Sequence, residues 1–366
     1  MILIFAFLLL YFIFLLWNAA VWINYKDDLN SKEQKSVSVL VAFRNEEKCI
    51  SELLESLLFQ DYPLDKYEII LVDDHSADNS RRIIDRYKKS YANLSVYALS
   101  DNKTGKKAAL TLGVEKSKNS IIITTDGDCI VPKTWVSTIV KAYDNCTVFT
   151  FGGVGYTNQN KLFQLFQESE QRALLSSSLL MHFYNKPGMC NGANLSFRKD
   201  VFFELGGYSG NEHISTGDDE FLLRKVKDAY PNGTKFIQSE KSWVSTKPPN
   251  SFKDLVDQKI RWASKWKLHN DIGAKLLGVF ILLANIVFIS IFLLTMFQIL
   301  PTDQFAAIVI IKAILELLLI QFIPPDNRKF RNLFVLLIIS IIYPFYAVSI
   351  GLMSLKGSYT WKGRPY

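Results

Sequence analysis

Four apolar segments set the strongest limit on how this chain can fold. Residues 2–23 are apolar apart from Asn18, and residues 276–300, 306–323 and 333–355 form three further apolar runs. A helix needs ~20 mostly apolar residues to cross a bilayer, and each run is close to or above that length. Four such runs around a polar block predict a membrane protein with a folded domain between the first run and the other three.

The first apolar run lacks the two marks of a cleaved signal peptide, which are a basic n-region and a short apolar core. We therefore expect it to remain in the protein as an anchor. The chain is expected to comprise five parts: a transmembrane anchor at residues 1–25, a cytosolic domain at 36–250, an amphipathic interface helix at 251–275, three apolar membrane segments at 276–355 and a tail at 356–366.

Basic residues gather just before the second apolar run and predict which side of the membrane the domain faces. Positively charged side chains beside a membrane segment favour the cytoplasmic face, where they also meet anionic membrane lipids. We therefore expect a cytosolic domain in a multi-pass protein of the cytoplasmic (inner) membrane. The basic residues are Lys253, Lys259, Arg261, Lys265, Lys267 and Lys275.

The net charge of +7 does not indicate a nucleic-acid partner, because Lys and Arg are scattered and the aromatic residues lie mainly in the apolar runs. The 4 cysteines include no Cys-x-x-Cys pair. Such sparse, unpaired cysteines are typical of a reducing compartment and argue against a disulfide or zinc framework.

The number of crossings after the domain is open. Three crossings place the basic stretch 328–331 inside the cell, as the positive-inside rule prefers. The basic tail at 356–366 prefers the inside too, which would require one apolar segment to be re-entrant or interfacial. Residues 306–323 are the candidate, because they contain Lys312 and Glu316 and unpaired charge within a membrane is costly. Three crossings is the interpretation we prefer.

From residue 36 to residue 152 the chain alternates between β-rich runs and stretches with helical spacing. The β-rich runs are 36–42, 68–72, 94–98, 121–125 and 147–151, and the helical stretches are 46–58, 77–89, 106–116 and 133–143. This alternation is typical of an α/β fold with a doubly wound, mostly parallel sheet. The part that follows, from a helix at 162–181 onward, indicates a platform rather than a second nucleotide-binding fold.

Paired carboxylates follow two of these predicted strands. Asp73 and Asp74 end the second β-rich run, and Asp126 and Asp128 follow the fourth. Ligands bind at the carboxyl ends of parallel strands, and two acid pairs there would repel each other unless they hold a cation or a ligand. Mg²⁺ and Mn²⁺ bind one or two carboxylates and complete their shell with phosphate and water. The pattern therefore predicts a nucleotide diphosphate as ligand.

A lysine-containing loop precedes the third helical stretch. The sequence Thr104-Gly105-Lys106-Lys107 is similar to a phosphate-binding loop, but Ser100 stands where a Walker A motif needs glycine. Two interpretations stay open. Either Lys106 reaches the phosphates or the pyrimidine half of the ligand, or the loop is a helix N-cap with two exposed lysines.

Two later motifs also carry candidate residues. Gly217-Asp218-Asp219-Glu220 opens a helix, where acids match the helix dipole, and that match does not say which acid faces a cleft. Gln258, Arg261 and Trp262 lie at i, i+3 and i+4, so that a cation and an aromatic platform share one helix face that could meet phosphate and sugar. The same helix also fits an amphipathic segment on a membrane surface, and both interpretations can hold.

Residues 37–262 resemble glycosyltransferase family 2, in the membrane-embedded branch that includes the cellulose, hyaluronan and ceramide-glucosyl transferases. The sequence differs from that branch at Asp218, where the branch often has Glu. This difference leaves open whether Asp218 or Asp219 is the base. The matching pieces, in order, are residues 39–47, 71–76, Gly105-Lys106, Asp126-Gly127-Asp128, Asn191-Gly192-Ala193-Asn194, Gly217-Asp218-Asp219 and Gln258 to Trp262.

The resemblance implies an A-type glycosyltransferase fold and transfer of a sugar, with inversion, from a nucleotide diphosphate donor such as UDP-sugar to a lipid or polysaccharide hydroxyl. It also implies Mg²⁺ or Mn²⁺ as cofactor. The implied roles are uridine binding by Ala42, Arg44 and Asp74; the sugar side and the metal at Asp126 and Asp128; the base at Asp219; and a diphosphate and acceptor clamp made by Gln258, Arg261 and Trp262. Lys106 is assigned to donor binding with the first set.

A rival hypothesis is a phosphohydrolase of the haloacid dehalogenase type with Asp126 as nucleophile. Asp126-Gly127-Asp128-Cys129-Ile130 approaches its motif DxDx(T/V), and Gly217-Asp218 approaches its late Gly-Asp motif. Ile130 breaks the first match, and the segment from Gln258 to Trp262 has no place in that family. A membrane receptor without catalysis would need no such set of acids.

Overall fold

The computed structural model of this chain divides into two compact units. The first unit comprises Met1–Tyr25, Asn158–Lys186 and Pro248–Tyr366, and the second comprises Lys26–Thr157 and Pro187–Lys247. The structure describes residues 1–157, 161–210, 217–264, 271–324, 333–354, 360–361 and 364–365.

The strands are, in chain order, β1 Val37–Phe43, β2 Tyr67–Asp73, β3 Leu94–Ala98, β4 Ile121–Asp126, β5 Cys129–Ile130, β6 Phe149–Gly152, β7 Val154–Tyr156, β8 Leu195–Arg198, β9 Thr234–Ile237, β10 Val244–Thr246, β11 Thr360–Trp361 and β12 Arg364–Pro365. The helices are α1 Ile2–Asn24, α2 Ile50–Leu58, α3 Ser80–Lys88, α4 Lys106–Lys116, α5 Trp135–Lys141, α6 Leu162–Phe183, α7 Lys199–Glu204, α8 Asp218–Ala229, α9 Phe252–Ser264, α10 Ile272–Met296, α11 Thr302–Ile320 and α12 Leu333–Ser354. Two short 3₁₀ helices cover Leu64–Lys66 and Glu240–Ser242.

The second unit is built on a seven-stranded sheet in the order β3-β2-β1-β4-β8-β6-β9. Strands β3, β2, β1 and β4 run parallel, as does the pair β6 and β9, whereas β8 is antiparallel to both of its neighbours. The predicted α/β class with a mostly parallel sheet is therefore confirmed. The expected platform after residue 162 is corrected, because β8 and β9 come from that part of the chain and extend the same sheet.

Helices cover both faces of this sheet. Alternate residues of β1, such as Val39 and Val41, are buried in one core with Leu53 and Leu57 of α2. On the other face, Gly113 of α4 lies so close to Leu40 that an added Cβ would stand 3.3 Å from its side chain. Each large apolar side chain fully buried in such a core contributes ~1.5–3 kcal/mol. This two-faced burial explains the continuous apolar runs of the central strands.

The first unit contains the apolar helices. Three of them are long and apolar enough to cross a membrane, namely Ile2–Asn24, Ile272–Met296 and the part of α12 at Val335–Ser354. Helix α11 is not one of these three candidate membrane helices, because it carries three charged residues, Asp303, Lys312 and Glu316. Residues 265–270, in the predicted interface segment, and the basic stretch 328–331 lie outside the described residues.

Helix α6 brings buried charge into the first unit. The Arg172 guanidinium lies 2.9 Å from the Glu168 carboxylate, and both side chains are almost fully buried. Arg172 also donates to the carbonyls of Ile320 and Ile323, at 3.1 and 2.5 Å, where α11 ends. Removing one partner of a buried pair leaves an uncompensated charge, so these contacts fix α6 against α11.

Candidate active site

The predicted strand-end acids of the second unit lie on either side of strand β1. In the register of the parallel strands, Ala42 of β1 stands next to Asp126 of β4, and Phe43 stands next to Asp73 of β2. The carboxyl ends of β1, β2 and β4 therefore meet at one edge of the sheet. This is the edge at which open α/β sheets bind ligands.

The loops after β1 and β2 are joined by hydrogen bonds that sequence reasoning missed. The Asn45 amide donates to Ser76 Oγ at 3.1 Å, and Asn45 Oδ1 accepts from the Ala77 amide at 2.8 Å. Both Asn45 and His75 adopt left-handed backbone angles, with φ of 54° and 59°. Asn and His adopt this conformation more often than most non-glycine residues, so Asn45 and His75 were available signals for the two turns.

Asp74 connects the end of β2 to the start of α4. Its side chain is buried, and its Oδ1 accepts from the Gly105 amide at 3.0 Å. Arg44 Nη1 donates to the Asp74 carbonyl at 2.7 Å, so two residues predicted to bind the donor are in contact. Gly105 has a φ of 97°, which glycine adopts without strain. This turn places Lys106 at the first position of α4.

Lys106 lies between two carboxylates. Its Nζ is 2.7 Å from Asp126 Oδ1 and 3.1 Å from Asp218 Oδ2. Burial opposes the charge of Lys106, but the carboxylates of Asp126, Asp218 and Asp219 outweigh burial and hold its pKa well above the ordinary value. Lys106 is therefore charged throughout the physiological range. The alternative of two exposed lysines is wrong, because Lys106 is only partly exposed and Lys107 is buried, with its Nζ 5.2 Å from the Phe221 ring centroid.

The acids of this cluster exceed its cations. Burial raises the pKa of Asp218, Lys106 lowers it, and the negative charges of Asp219 and Asp126 raise it again, so that it stays above its usual value. Asp126 and Asp218 thus pair with Lys106, and Asp219 adds a third negative charge nearby. Like charges held this close favour uptake of a further cation or a proton.

Asp126 and Asp128 are the residues that would hold the divalent cation that the sequence predicts. Asp126 is partly exposed, and Asp128 is exposed on the turn between β4 and β5. In the part of the chain that the structure describes, no group of three or more His, Cys, Asp or Glu side chains is arranged to hold a metal. Two carboxylates with room for phosphate and water are the set that Mg²⁺ takes together with a phosphorylated substrate.

Asp219 occupies a different environment from its neighbour Asp218. Its Oδ2 accepts from the Gly192 amide at 3.0 Å, and its Oδ1 accepts from the Glu220 amide at 2.8 Å. Asp218 is buried against Lys106, whereas Asp219 is partly exposed. Gly217, at φ 82°, caps the helix that presents both acids. The segment with Gly192 matches glycosyltransferase family 2 in sequence, but no role was predicted for it. The structure places Gly192 beside the acid cluster.

The predicted diphosphate and acceptor residues lie on α9, in the first unit. Gln258, Arg261 and Trp262 are all partly exposed, as expected for one helix face. Between them, Lys259 is buried, with its Nζ 4.4 Å from the Trp262 ring centroid and 2.8 Å from a Glu170 carboxylate oxygen. Their contact with substrate stays a prediction.

Comparison with known proteins identifies the domain. Residues 38–206 match the family model described as glycosyl transferase family 2. Glycosyltransferase AglE of Haloferax volcanii is 28% identical over 194 residues, which are 53% of this chain and 62% of that protein. A β-monoglucosyldiacylglycerol synthase of Synechocystis sp. is 30% identical over 121 residues, 33% of this chain and 25% of that protein.

A solved structure shares the fold. The mannosyltransferase PcManGT from Pyrobaculum calidifontis, in complex with GDP-Man and Mn²⁺, superposes with a TM-score of 0.57 at 18% identity, covering 94% of this chain and 96% of that one. The fold is therefore the A-type glycosyltransferase fold, as predicted, and the dehalogenase-type rival is not favoured. The chain spans less than two thirds of the length of either sequence relative. Residues 38–206 form a glycosyltransferase family 2 domain.

Proposed function

We propose that this protein is a membrane-bound, metal-dependent glycosyltransferase that moves a sugar from a nucleotide diphosphate donor, UDP-sugar, to a lipid hydroxyl at the cytoplasmic membrane face. The observation that carries the proposal is the acid cluster of Asp126, Asp218 and Asp219 around Lys106, in a family 2 domain. An excess of carboxylate at the carboxyl edge of a parallel sheet suits a donor that arrives with a cation.

The donor side of the site would involve the first two strand ends. Ala42, Arg44 and Asp74 lie at the ends of β1 and β2, and the Arg44–Asp74 contact holds the second loop in place for the uridine. Asp126 and Asp128 would hold Mg²⁺ or Mn²⁺, which supplies neutralisation of the charge on the leaving diphosphate. Lys106 adds a fixed positive charge beside Asp126.

The chemical step is a single displacement. The acceptor hydroxyl oxygen attacks the anomeric carbon of the sugar. The bond between the anomeric carbon and the diphosphate oxygen breaks, the nucleoside diphosphate leaves, and Asp219 takes the hydroxyl proton. Two backbone amides hold the carboxylate of Asp219 in place, and Asp218 is engaged by Lys106. Of the two acids, Asp219 is therefore the better base, because a general base needs an accessible oxygen within hydrogen-bond reach of the proton.

Two observations support a lipid acceptor. The first unit has three helices long and apolar enough to cross a membrane, and one sequence relative is named as a glucosyldiacylglycerol synthase. Gln258, Arg261 and Trp262 on α9 would then clamp the diphosphate and the acceptor end, since Arg binds phosphate in a bidentate manner and Trp offers a flat face to sugar. A polysaccharide acceptor is the alternative, and the assay must distinguish it from a lipid acceptor.

The test is nucleotide release by the purified full chain in detergent, with a panel of nucleotide sugars and Mn²⁺, in three arms: lipid extract, soluble polysaccharide and no acceptor. We expect release of UDP from one UDP-sugar that depends on lipid extract, and release lowered by ~10²- to 10⁴-fold in Asp219→Asn. Release that depends on polysaccharide alone would overturn the lipid acceptor. If none of the nucleotide sugars releases its nucleotide in any arm, the proposed activity as a whole is contradicted.

A further inference from the structure

We propose that Thr124 is a positioning residue for Asp219 and acts through the backbone of Gly192. The inference rests on the proposed function, in which Asp219 takes the acceptor proton. Thr124 lies on β4, two residues before Asp126, and its hydroxyl donates to the Gly192 carbonyl. Its effect on the reaction would come from where it holds the loop that carries Gly192.

Gly192 is held from both sides. Thr124, only 2% exposed, donates from its Oγ1 to the Gly192 carbonyl at 2.7 Å. The Gly192 amide donates to Asp219 Oδ2 at 3.0 Å. A central strand of the sheet is thus linked to the proposed base through one residue. Because a strand in the middle of a sheet is the most rigid part of such a fold, the link transfers that rigidity to the carboxylate.

The space around Gly192 leaves the loop little freedom. A Cβ at this position would lie 2.8 Å from Lys106 Nζ and 2.9 Å from Asp218 Oδ2. The backbone of Gly192 therefore packs directly against the Lys106–Asp218 ion pair. Any shift of this backbone would move both the ion pair and the amide that Asp219 accepts from.

The far end of the same loop is fixed independently of Thr124. Asn194 Oδ1 accepts from Trp135 Nε1 at 2.9 Å, and Asn194 Nδ2 donates to the carbonyls of Gly153 and Ser242 at 2.8 and 2.9 Å. The loop will therefore keep its overall course when the Thr124 hydroxyl is removed. The Gly192 end alone loses its partner, and the buried carbonyl left there must move or find another donor.

Three variants of the full chain test the kinetic consequence. Thr124→Val keeps the shape and removes the hydroxyl, Thr124→Ser keeps the hydroxyl, and Thr150→Val is the matched control. Thr150, 1% exposed on β6, bonds to Ser196 Oγ at 2.6 Å and is an equally buried hydroxyl of the same sheet. Misplacement of a reacting group by about 1 Å costs ~10²-fold, so we expect kcat to fall ~10- to 100-fold in Thr124→Val.

The donor KM of Thr124→Val should stay within about twofold of the wild-type value, because the lost interaction serves the transition state. Thr124→Ser should restore most of kcat, and Thr150→Val should leave kcat and KM unchanged. A wild-type kcat in Thr124→Val, or an equal fall in Thr150→Val, would overturn the proposal.

A thermal unfolding cycle tests the contact without using activity. Thr124→Val, Asp219→Ala and the double variant are compared, with Thr150→Val in place of Thr124→Val as the control cycle. The Tm losses of the Thr124 cycle should be non-additive by about 2 °C or more, whereas the control cycle should be additive. Additive Tm losses in the Thr124 cycle would show that Thr124 and Asp219 are not coupled. If the wild type transfers no sugar, the proposed function fails, and the unfolding cycle still decides whether Thr124 positions Asp219.

Discussion

At the scale of single residues, the partner of each acid decides what it can do. Asp218 and Asp219 are adjacent in sequence, yet Asp218 is buried against an ammonium group and Asp219 accepts from two backbone amides. An acid in an ion pair contributes its charge to the site, whereas an accessible acid can accept a proton. Two identical side chains therefore have two expected roles.

This division predicts different losses for two conservative variants. Asp219→Asn should lower sugar transfer by ~10²- to 10⁴-fold and retain donor binding, because only the proton acceptor is removed. Asp218→Asn should weaken donor binding, because Lys106 loses one of its two carboxylates. Turnover and calorimetric binding of the donor separate the two effects. If Asp218→Asn is inactive and Asp219→Asn is active, the assignment of the base moves by one residue.

At the scale of elements, local periodicity predicted the parallel strands β1 to β4 and also β6, but it missed β8 and β9. Strands β1 to β4 lie within one residue of the β-rich runs, because each is a buried apolar run between turns. Helix α2 begins at Ile50 rather than near residue 46, and the Glu46 amide donates instead to Ser80 Oγ at the start of α3. β8 was missed because its place between β4 and β6 depends on pairing between distant segments.

Some features of the candidate site could be predicted from the sequence, and others could not. The acids at the strand ends could be predicted, because parallel strands bring their carboxyl ends together wherever the chain connects them. The hydrogen bonds from Thr124 to Gly192 and from Gly192 to Asp219 join residues 68 and 27 positions apart. No local pattern encodes such contacts, so they became visible only in the folded chain.

Helix α8, which presents both acids, also carries a buried lysine that predicts a pH dependence of stability. Burial lowers the pKa of Lys227 from 10.5 to about 8. Between these two values the unfolded chain binds more protons than the folded chain, so the free energy of unfolding rises with pH. The charge penalty is greatest below pH 8.

The stability of the wild type relative to Lys227→Met should therefore rise as the pH rises from about 8 towards 10.5. Thermal unfolding of both proteins across this range measures the difference. A stability gap that is the same at every pH would show that Lys227 is not desolvated in the folded chain.

At the scale of the whole molecule, the open question is whether α11 crosses the membrane. Lys312 lies 2.5 Å from Glu316, donates to the Ser340 carbonyl of α12 at 3.1 Å and stands 5.1 Å from the Phe288 ring centroid. The charges therefore face other helices of the first unit. Ile310, Ile311 and Ile314 are exposed on α11. Paired charge turned inward removes the main objection to a crossing.

We therefore expect three crossings after the domain, and the C-terminus on the side opposite the domain. A C-terminal reporter that is active only in the cytoplasm should give no signal, while the same reporter inserted in the domain should be active. Strong signal from the C-terminal fusion would contradict this topology. It would indicate that α11 is re-entrant or interfacial.

The central claim is that the acid cluster transfers a sugar with the help of a divalent cation. The most direct measurement is mass spectrometry of acceptor lipids after incubation with the full chain, donor and Mn²⁺, with excess chelator in a parallel reaction. The account predicts a lipid heavier by one sugar unit, its loss with chelator, and its loss in Asp128→Asn with folding and membrane insertion intact. The same product in excess chelator, or a wild-type yield from Asp128→Asn, would contradict the account.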